Sequence, residues 1–522
     1  MVYQRCCLPF FEEGEDRMES KELKTAQIFS SNMVLQRNKN VTVWGEGTDG
    51  KEVQVSIKGN MVRTIIKDGK WILELPKMQA GGPYVLTVTD GDTTLSYKNV
   101  MVGEVWFAGG QSNMELELQN CMNGRNEMKE ADYDSIRFYN VAKIATLEEK
   151  NLKEEATRYW ELVKPDTCAS MSAVAYFFAR KVQKELGITI GIIDCYWGGT
   201  SISCWMDKKL IEKDMDAHIY LDEWKEKVGD KTDEQFDKEM EEYMKDWKVW
   251  DDKCKEVKIQ DPMASWEKIR EYAGDCPWPQ PFGNKSQFRP GGLYETMIKR
   301  VTPYTIKGFL WYQGEEDESK PYLYDKMLYN LIHLWRSDWK DETLPFMIVQ
   351  LPMWIEKGRK DDRSWAVLRD MQRKVAATVK NAELTVLIDC GEYDNIHPLD
   401  KQTVGYRLAL QTLESVYGIA DLFAKCPTYK DRDLKEDKIV LYFDSVYGGF
   451  EVRGHNKKPE LFEIAGEDKV FVPAEAEIDG ETIIISSKSV KNPKYARYAW
   501  VNYGIVNLFS SKGMPVAPFE TK

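Results

Sequence analysis

Residues 102–114 read VGEVWFAGGQSNM: an apolar run, Val102–Ala108, enters a Gly109-Gly110 turn, and Ser112 stands two residues beyond it. A short continuous apolar run bounded by turn residues fits a strand buried on both faces of a sheet. A serine on a glycine turn after such a strand can present its hydroxyl above the sheet, where backbone N–H groups can face an oxyanion. Asn113-Met114 follows the serine, so this is not the Gly-x-Ser-x-Gly elbow. Taken singly, a Gly-Gln-Ser-Asn turn also serves merely to connect two elements.

The same strand, loop, helix rhythm continues outward. Residues 173–186 have helical spacing (Val174, Phe178, Val182, Leu186) and stop at Gly187 before the apolar run Ile188–Ile193. Phe309–Tyr312 reads as a buried strand, followed by a helix with Leu328, Leu331, Ile332 and Trp335 on one face. Phe346–Leu351 and Leu384–Asp389 read as strands, residues near 364–379 and 401–416 as helices, and Leu293–Arg300 as a further helix. Alternating strands and helices predict an α/β fold, a mostly parallel sheet with helices on both faces. Ligands in such folds sit at the carboxyl ends of the strands.

This region, residues 101–425, is flanked by β-rich segments. Over 26–100, short runs (Val41–Trp44, Val53–Ile57, Trp71–Leu75, Tyr84–Thr89) separated by glycine-containing turns predict a small β-sandwich. Over 426–522, Ile439–Phe443, Thr482–Ile485 and Ala499–Asn502 predict a closing β-domain. Residues from about 206 to 280 are rich in Lys, Glu and Asp with Trp224, Trp247, Trp250 and Trp266 between them, which predicts a helical insertion acting as a solvated cap without chemistry of its own. Residues 1–25 are an N-terminal extension, and Met18 is an alternative start.

Composition narrows the function. In 522 residues, 72 Lys and Arg against 85 Asp and Glu give a net charge of −13, which argues against a general nucleic-acid or anionic-membrane surface while leaving room for a local cationic pocket. No window approaches 18 consecutive apolar residues, and the N-terminus does not read as a secretory signal. The ten scattered cysteines lack a CxxC spacing and are expected to be reduced thiols of a cytoplasmic protein. With four histidines, none beside a second ligand pair, no zinc site or other metal is expected.

Two further groups of loops carry chemical side chains. Residues 391–398 read GEYDNIHP, with His397 three residues after Asp394; the spacing lets a carboxylate orient Nδ1 of the ring while Nε2 faces a serine. His397 could equally bond to backbone, and His218, His333 and His455 are most simply structural or exposed. Trp311-Tyr312-Gln313-Gly314-Glu315-Glu316-Asp317 and Trp197-Gly198-Gly199-Thr200 both follow strands. Their glycine N–H groups and the Gln313 amide are suitable oxyanion donors, although tight turns that only connect elements would read the same way.

Together these stretches resemble the sialate O-acetylesterase family within the wider SGNH hydrolases. The matching text is Phe107–Met114, Trp311–Glu315, and Asp394–Pro398 with Lys401 and Gly405–Ala409. Family-like stretches also occur at Asn32–Arg37, Trp44-Gly45, Arg497–Trp500 and Pro515–Phe519. This chain has Glu316-Asp317 where many relatives have Ser-Asn or Ser-Asp. The resemblance implies a serine esterase that removes acetyl groups from carbohydrate hydroxyls without metal or cofactor. Ser112 would be the nucleophile, His397 the general base and acid, and Asp394 the residue orienting the imidazole. The N–H of Ser112, a Gly198 or Gly199 N–H, and the Gln313 amide would form the oxyanion hole.

An acetylated sialic acid carries a carboxylate, for which Arg289 is a candidate partner, although a surface arginine would read the same way. Trp197, Trp205 and Tyr312 are candidates either for stacking on a sugar or for core packing, and Gln111, Asn113 and Glu315 for further substrate contacts. Two alternatives stand beside this one: an acetylesterase for xylan or mannan oligosaccharides, and a non-catalytic carbohydrate-binding protein, against which the joint presence of Ser112, Asp394 and His397 argues.

Overall fold

The structure, a computed structural model, describes residues 21–261 and 264–521. Most of the N-terminal extension, with the choice between Met1 and Met18, lies outside the described residues.

The 17-residue strand Thr94–Gly110 forms the spine. It pairs in parallel with Ile190–Tyr196 on one side and Gly308–Tyr312 on the other. Tyr133–Asn140 extends the first side, and Phe346–Val349 then Ala382–Thr385 extend the second, all parallel; Glu161–Val163 closes one edge antiparallel. Every residue of Ile190–Tyr196 and Gly308–Tyr312 is buried, which is why they read as unbroken apolar runs. Tyr133–Asn140 escapes such a reading because it carries Arg137, buried and satisfied by the carbonyls of Asn32, Asn99 and Asp134.

Adjacent residues on the central strand point to opposite faces, and each meets its own helix. Trp106 packs edge-on against Phe178 of the helix Ala173–Leu186, while Phe107 packs edge-on against Trp335 of the helix Tyr324–Asp338. The first of these helices is capped by Ser172, which accepts from the Ala175 N–H, and ends at left-handed Gly187, the stop that its sequence predicts. The expected helix over Leu293–Arg300 is present and carries a π-turn, Tyr294–Ile298, that leads into Lys299–Val301.

The N-terminal strands form one sheet of Lys24–Thr25, Val41–Glu46 and Lys70–Leu75, and another that includes the first half of Thr94–Gly110. One strand thus runs through the expected boundary at residue 100, and the cores on either side of it merge. At the C-terminus, sheets built on Lys438–Asp444 with Thr482–Ser486 and on Phe462–Ala465 with Tyr495–Tyr498 enclose a separate core. Met353, Val386 and Ile388, which come from loops beyond the parallel strands, join that core. The strand expected at Ala499–Asn502 lies earlier, at Tyr495–Tyr498, and the positive φ of Ala499 ends it.

The insertion forms the helices Lys208–Lys213, His218–Val228, Asp233–Gln260 and Trp266–Ala273. The longest starts with a capping box between Thr232 and Gln235. It packs on the last through Cys254, Val257 and Ile269, with Trp250 and Trp266 beside them. None of the eight described cysteines forms a disulfide, and no described helix is long and apolar enough to cross a membrane.

Candidate active site

Three strand ends meet at one place. The register pairs Gly110 with Tyr196 on one side and with Tyr312 on the other, so Gln111-Ser112, Trp197-Gly198 and Gln313-Gly314 leave the sheet side by side. Strand order reverses there, the usual position of a ligand crevice in open α/β sheets. Gly110 has a φ of +145°, and a Cβ on it would lie 2.1 Å from the Tyr312 carbonyl oxygen, so the turn requires glycine. Ser112 then opens a single helical turn, Ser112–Glu115, in which its own N–H has no intrahelical acceptor.

His397 arrives on the loop before the helix Lys401–Ser415. Arg407 grips Asp389 through two bonds of 2.6 Å, the Asp394 N–H donates to the Ile355 carbonyl at 3.0 Å, and Asp400 caps the helix at the Thr403 N–H. So held, the loop brings His397 Nε2 to 2.8 Å from Ser112 Oγ, within range for proton transfer. Both residues line a cavity of about 680 Å³ whose wall also includes Glu115, Lys258, Trp266 and Asp394. Burial pushes the His397 pKa down to about 4, and the Lys401 and Lys258 charges act the same way. The imidazole is therefore neutral near pH 7, the form a general base needs.

The Asp394 carboxylate does not reach this ring. It accepts from the Lys357 N–H at 2.8 Å and from Arg270 at 3.5 Å, on a residue with a φ of +58°. The expected orienting bond to His397 is replaced by a tether between two loops.

Beneath the serine and histidine lies a buried polar layer made from residues expected to touch substrate. Asn113, fully buried, donates to Glu315 Oε1 at 2.5 Å and to the Ile396 carbonyl at 2.9 Å, and accepts from Lys401 Nζ at 2.5 Å. It thereby fastens the Ser112 turn to the His397 loop. Burial drives the Lys401 pKa down to about 8 and raises that of Glu315. Gln111 Oε1 accepts from Gln313 Nε2 at 3.1 Å and from the N–H groups of Gly314 and Glu316 at 3.3 Å. Gln111, Asn113 and Glu315 are thus scaffold rather than substrate contacts.

The expected oxyanion donors divide. Gln313 is fully buried, and its amide donates to Gln111, to the Thr200 carbonyl at 3.1 Å and to Asp317 at 2.5 Å, leaving no N–H for an oxyanion. Asp317, noted in the sequence as a departure, is the acceptor that holds Gln313, Tyr220 and the Ile202 N–H together. Gly198 lies against the nucleophile, since a Cβ on it would be 3.2 Å from Ser112 Cβ, but its N–H donates to Glu115 Oε2 at 2.5 Å. The next glycine, Gly199, is covered by the ring of Trp278, which is 48% exposed.

Arg289 does not line the Ser112 cavity; its Nη1 pairs with Glu295 at 3.2 Å. Trp197 packs on the core, and Trp205 and Tyr312 are fully buried, so none of the three offers an open face to a sugar in this cavity. Sequence reasoning missed Glu115, although it stands on Ser112's own helical turn, and Lys258, one of several lysines on the insertion helix. It quoted Lys401 without a role. The insertion is more than a cap: Lys258, Ser265, Trp266 and Glu267 form part of the cavity wall. Among the described residues no group of three or more His, Cys, Asp or Glu is placed to hold a metal ion.

A strand-end serine bonded to a histidine, above a sheet of this topology, defines a serine-type ester hydrolase. Residues 279–414, which carry Gln313, Glu315, His397 and Lys401, match the family described as carbohydrate esterase, sialic acid-specific acetylesterase. The chain is 26% identical to the sialate O-acetylesterase of Mus musculus, over 92% of this chain and 89% of the mouse protein. It is 25% identical to the Homo sapiens sialate O-acetylesterase, over 97% of this chain and 93% of the human protein. Among solved structures, a carbohydrate acetylesterase from Xanthomonas citri superposes with a TM-score of 0.76 at 29% identity, covering 96% of this chain and 99% of that one. The resemblance drawn from the sequence motifs is borne out along nearly the whole chain.

Proposed function

We propose that the protein is an SGNH-type esterase that removes O-acetyl groups from carbohydrates, acetylated sialic acids first among them, through an acetyl-enzyme on Ser112. The observation that carries this reading is the 2.8 Å contact between His397 Nε2 and Ser112 Oγ, with the imidazole held neutral. As Oγ attacks the acetyl carbonyl, His397 takes its proton; as the tetrahedral intermediate collapses, His397 gives that proton to the departing sugar oxygen. Water then attacks the acetyl-enzyme with the same histidine as base, and acetate leaves. The Ser112 N–H stabilises the oxyanion, joined by the Gly198 N–H once Glu115 releases it. Asp394 acts as a tether of the His397 loop.

One observation favours a second reading with neutral acetylated oligosaccharides as substrates: Glu115, Glu117, Glu267, Glu392 and Asp394 all line the cavity. Acetate release from 9-O-acetylated sialic acid and from acetylated xylo- and manno-oligosaccharides, side by side with Ser112→Ala as blank, tests the proposal. A clear preference for the sialate supports the first reading, preference for the neutral sugars supports the second, and release from none of them contradicts both.

A further inference from the structure

We infer that Lys258, supplied by the helical insertion, selects acidic acetylated sugars by pairing with the substrate carboxylate beside Ser112; the inference rests on the sialate reading above. Lys258 sits in the last turn of Asp233–Gln260, half-buried, in the wall of the cavity shared by Ser112 and His397. Lys357, the other cation of this wall, is engaged, and so are Arg270 and Lys143, which pair with acids of the wall from outside it. Lys357 Nζ pairs with Glu267 at 2.9 Å, Arg270 with Asp394 at 3.5 Å and Asp275 at 3.7 Å, and Lys143 with Glu115. Lys258 has no carboxylate within ion-pair distance among the described residues, although its charge is felt at His397.

The five acids at the wall are engaged as well. Glu115 is held by Lys143 and the Gly198 N–H, and Glu117 by the side-chain amides of Gln119 and Asn120 at 2.6 and 3.1 Å. Glu267 is held by Lys357, Glu392 by Asn395 Nδ2 at 2.7 Å and the Leu399 N–H at 2.9 Å, and Asp394 by the Lys357 N–H. An entering carboxylate thus meets five carboxylates that each already hold at least one donor, and one ammonium without an ion-pair partner among the described residues. Desolvation by the bound sugar would strengthen that pair beyond the value of an exposed ion pair. Placing the cation on the insertion, away from the strand-end loops, separates recognition of the acid group from the acyl-transfer chemistry.

The test is steady-state acetate release by Lys258→Gln and Lys258→Glu, with 9-O-acetylated sialic acid and 4-nitrophenyl acetate as paired substrates. A lost charge-assisted pair corresponds to a rise in KM for the sialate of roughly tenfold relative to any change with the neutral ester, larger for Lys258→Glu, with kcat little altered. Wild-type KM for the sialate should also rise with added NaCl, because salt screens the pair. Equal changes on both substrates, or an unchanged sialate KM in Lys258→Gln, overturn the inference while the sialate reading stands. A wild-type enzyme that hydrolyses 4-nitrophenyl acetate but not the sialate overturns the reading and the inference together.

Discussion

The backbone N–H of Gly198 donates to Glu115 Oε2 at 2.5 Å, so the donor that the proposed mechanism assigns to the oxyanion is held by a carboxylate. Glu115 is in turn paired with Lys143 and lines the cavity. Acyl transfer that uses this N–H must first exchange one acceptor for another. Glu115→Ala should remove that step and raise kcat/KM for 4-nitrophenyl acetate by up to about tenfold, the scale of one hydrogen bond to a charged group. A tenfold fall would show instead that Glu115 positions Gly198.

The acid limb of the pH profile should lie unusually low. The base must be neutral, and burial with the Lys401 and Lys258 charges places the His397 pKa at about 4 instead of 6.5. Log kcat/KM should therefore stay level from neutral pH down to about 5 and fall with unit slope only below about 4. Lys401→Met removes a repelling charge and should move the limb upward. A wild-type limb at 6 or above contradicts the geometry described here.

Asp394 accepts from the Lys357 N–H rather than from the imidazole. Asp394→Asn should consequently cost less than about tenfold in kcat, through a looser loop. A residue fixing the histidine tautomer would cost on the order of 10⁴-fold, as in serine proteases, and a loss of that size would return Asp394 to the role its spacing suggests.

Gln313 sits in a closed network with Gln111, Thr200, Asp317 and Tyr324. Gln313→Leu leaves buried partners unpaired and should lower the unfolding free energy of the catalytic region by about 1–3 kcal/mol, read from its urea midpoint. An oxyanion donor would show the opposite pattern, an unchanged midpoint with a kcat loss worth about 2.7–4 kcal/mol.

Much of the catalytic fold was legible because buried parallel strands are apolar on both faces. Phe309–Tyr312 and Phe346–Leu351 stand out as runs, and the helix 173–186 carries its stop in Gly187. Tyr133–Asn140 stayed hidden behind Arg137, whose burial is satisfied in large part by the carbonyls of Asn99 and Asn32, 38 and 105 residues distant in sequence. At the site, Ser112 and His397 were legible from residue type and loop position, whereas the side-chain directions of Asp394 and Gln313 were not. Those depend on which polar group fills each buried valence, and Lys357, Asp317 and Tyr324 give no local signal of doing so. Lys258 is one lysine among many on a charged helix; only the packing of that helix beside the strand ends distinguishes it.

The central claim is that Ser112 carries the acetyl group. Acetate release from 9-O-acetylated sialic acid by wild type and by Ser112→Ala, with matching circular dichroism and thermal unfolding for both, tests it most directly. The account predicts a loss of roughly 10³-fold or more in kcat for a folded Ser112→Ala protein, as expected when a nucleophile is removed. A folded Ser112→Ala enzyme that still releases acetate within tenfold of the wild-type rate would contradict it.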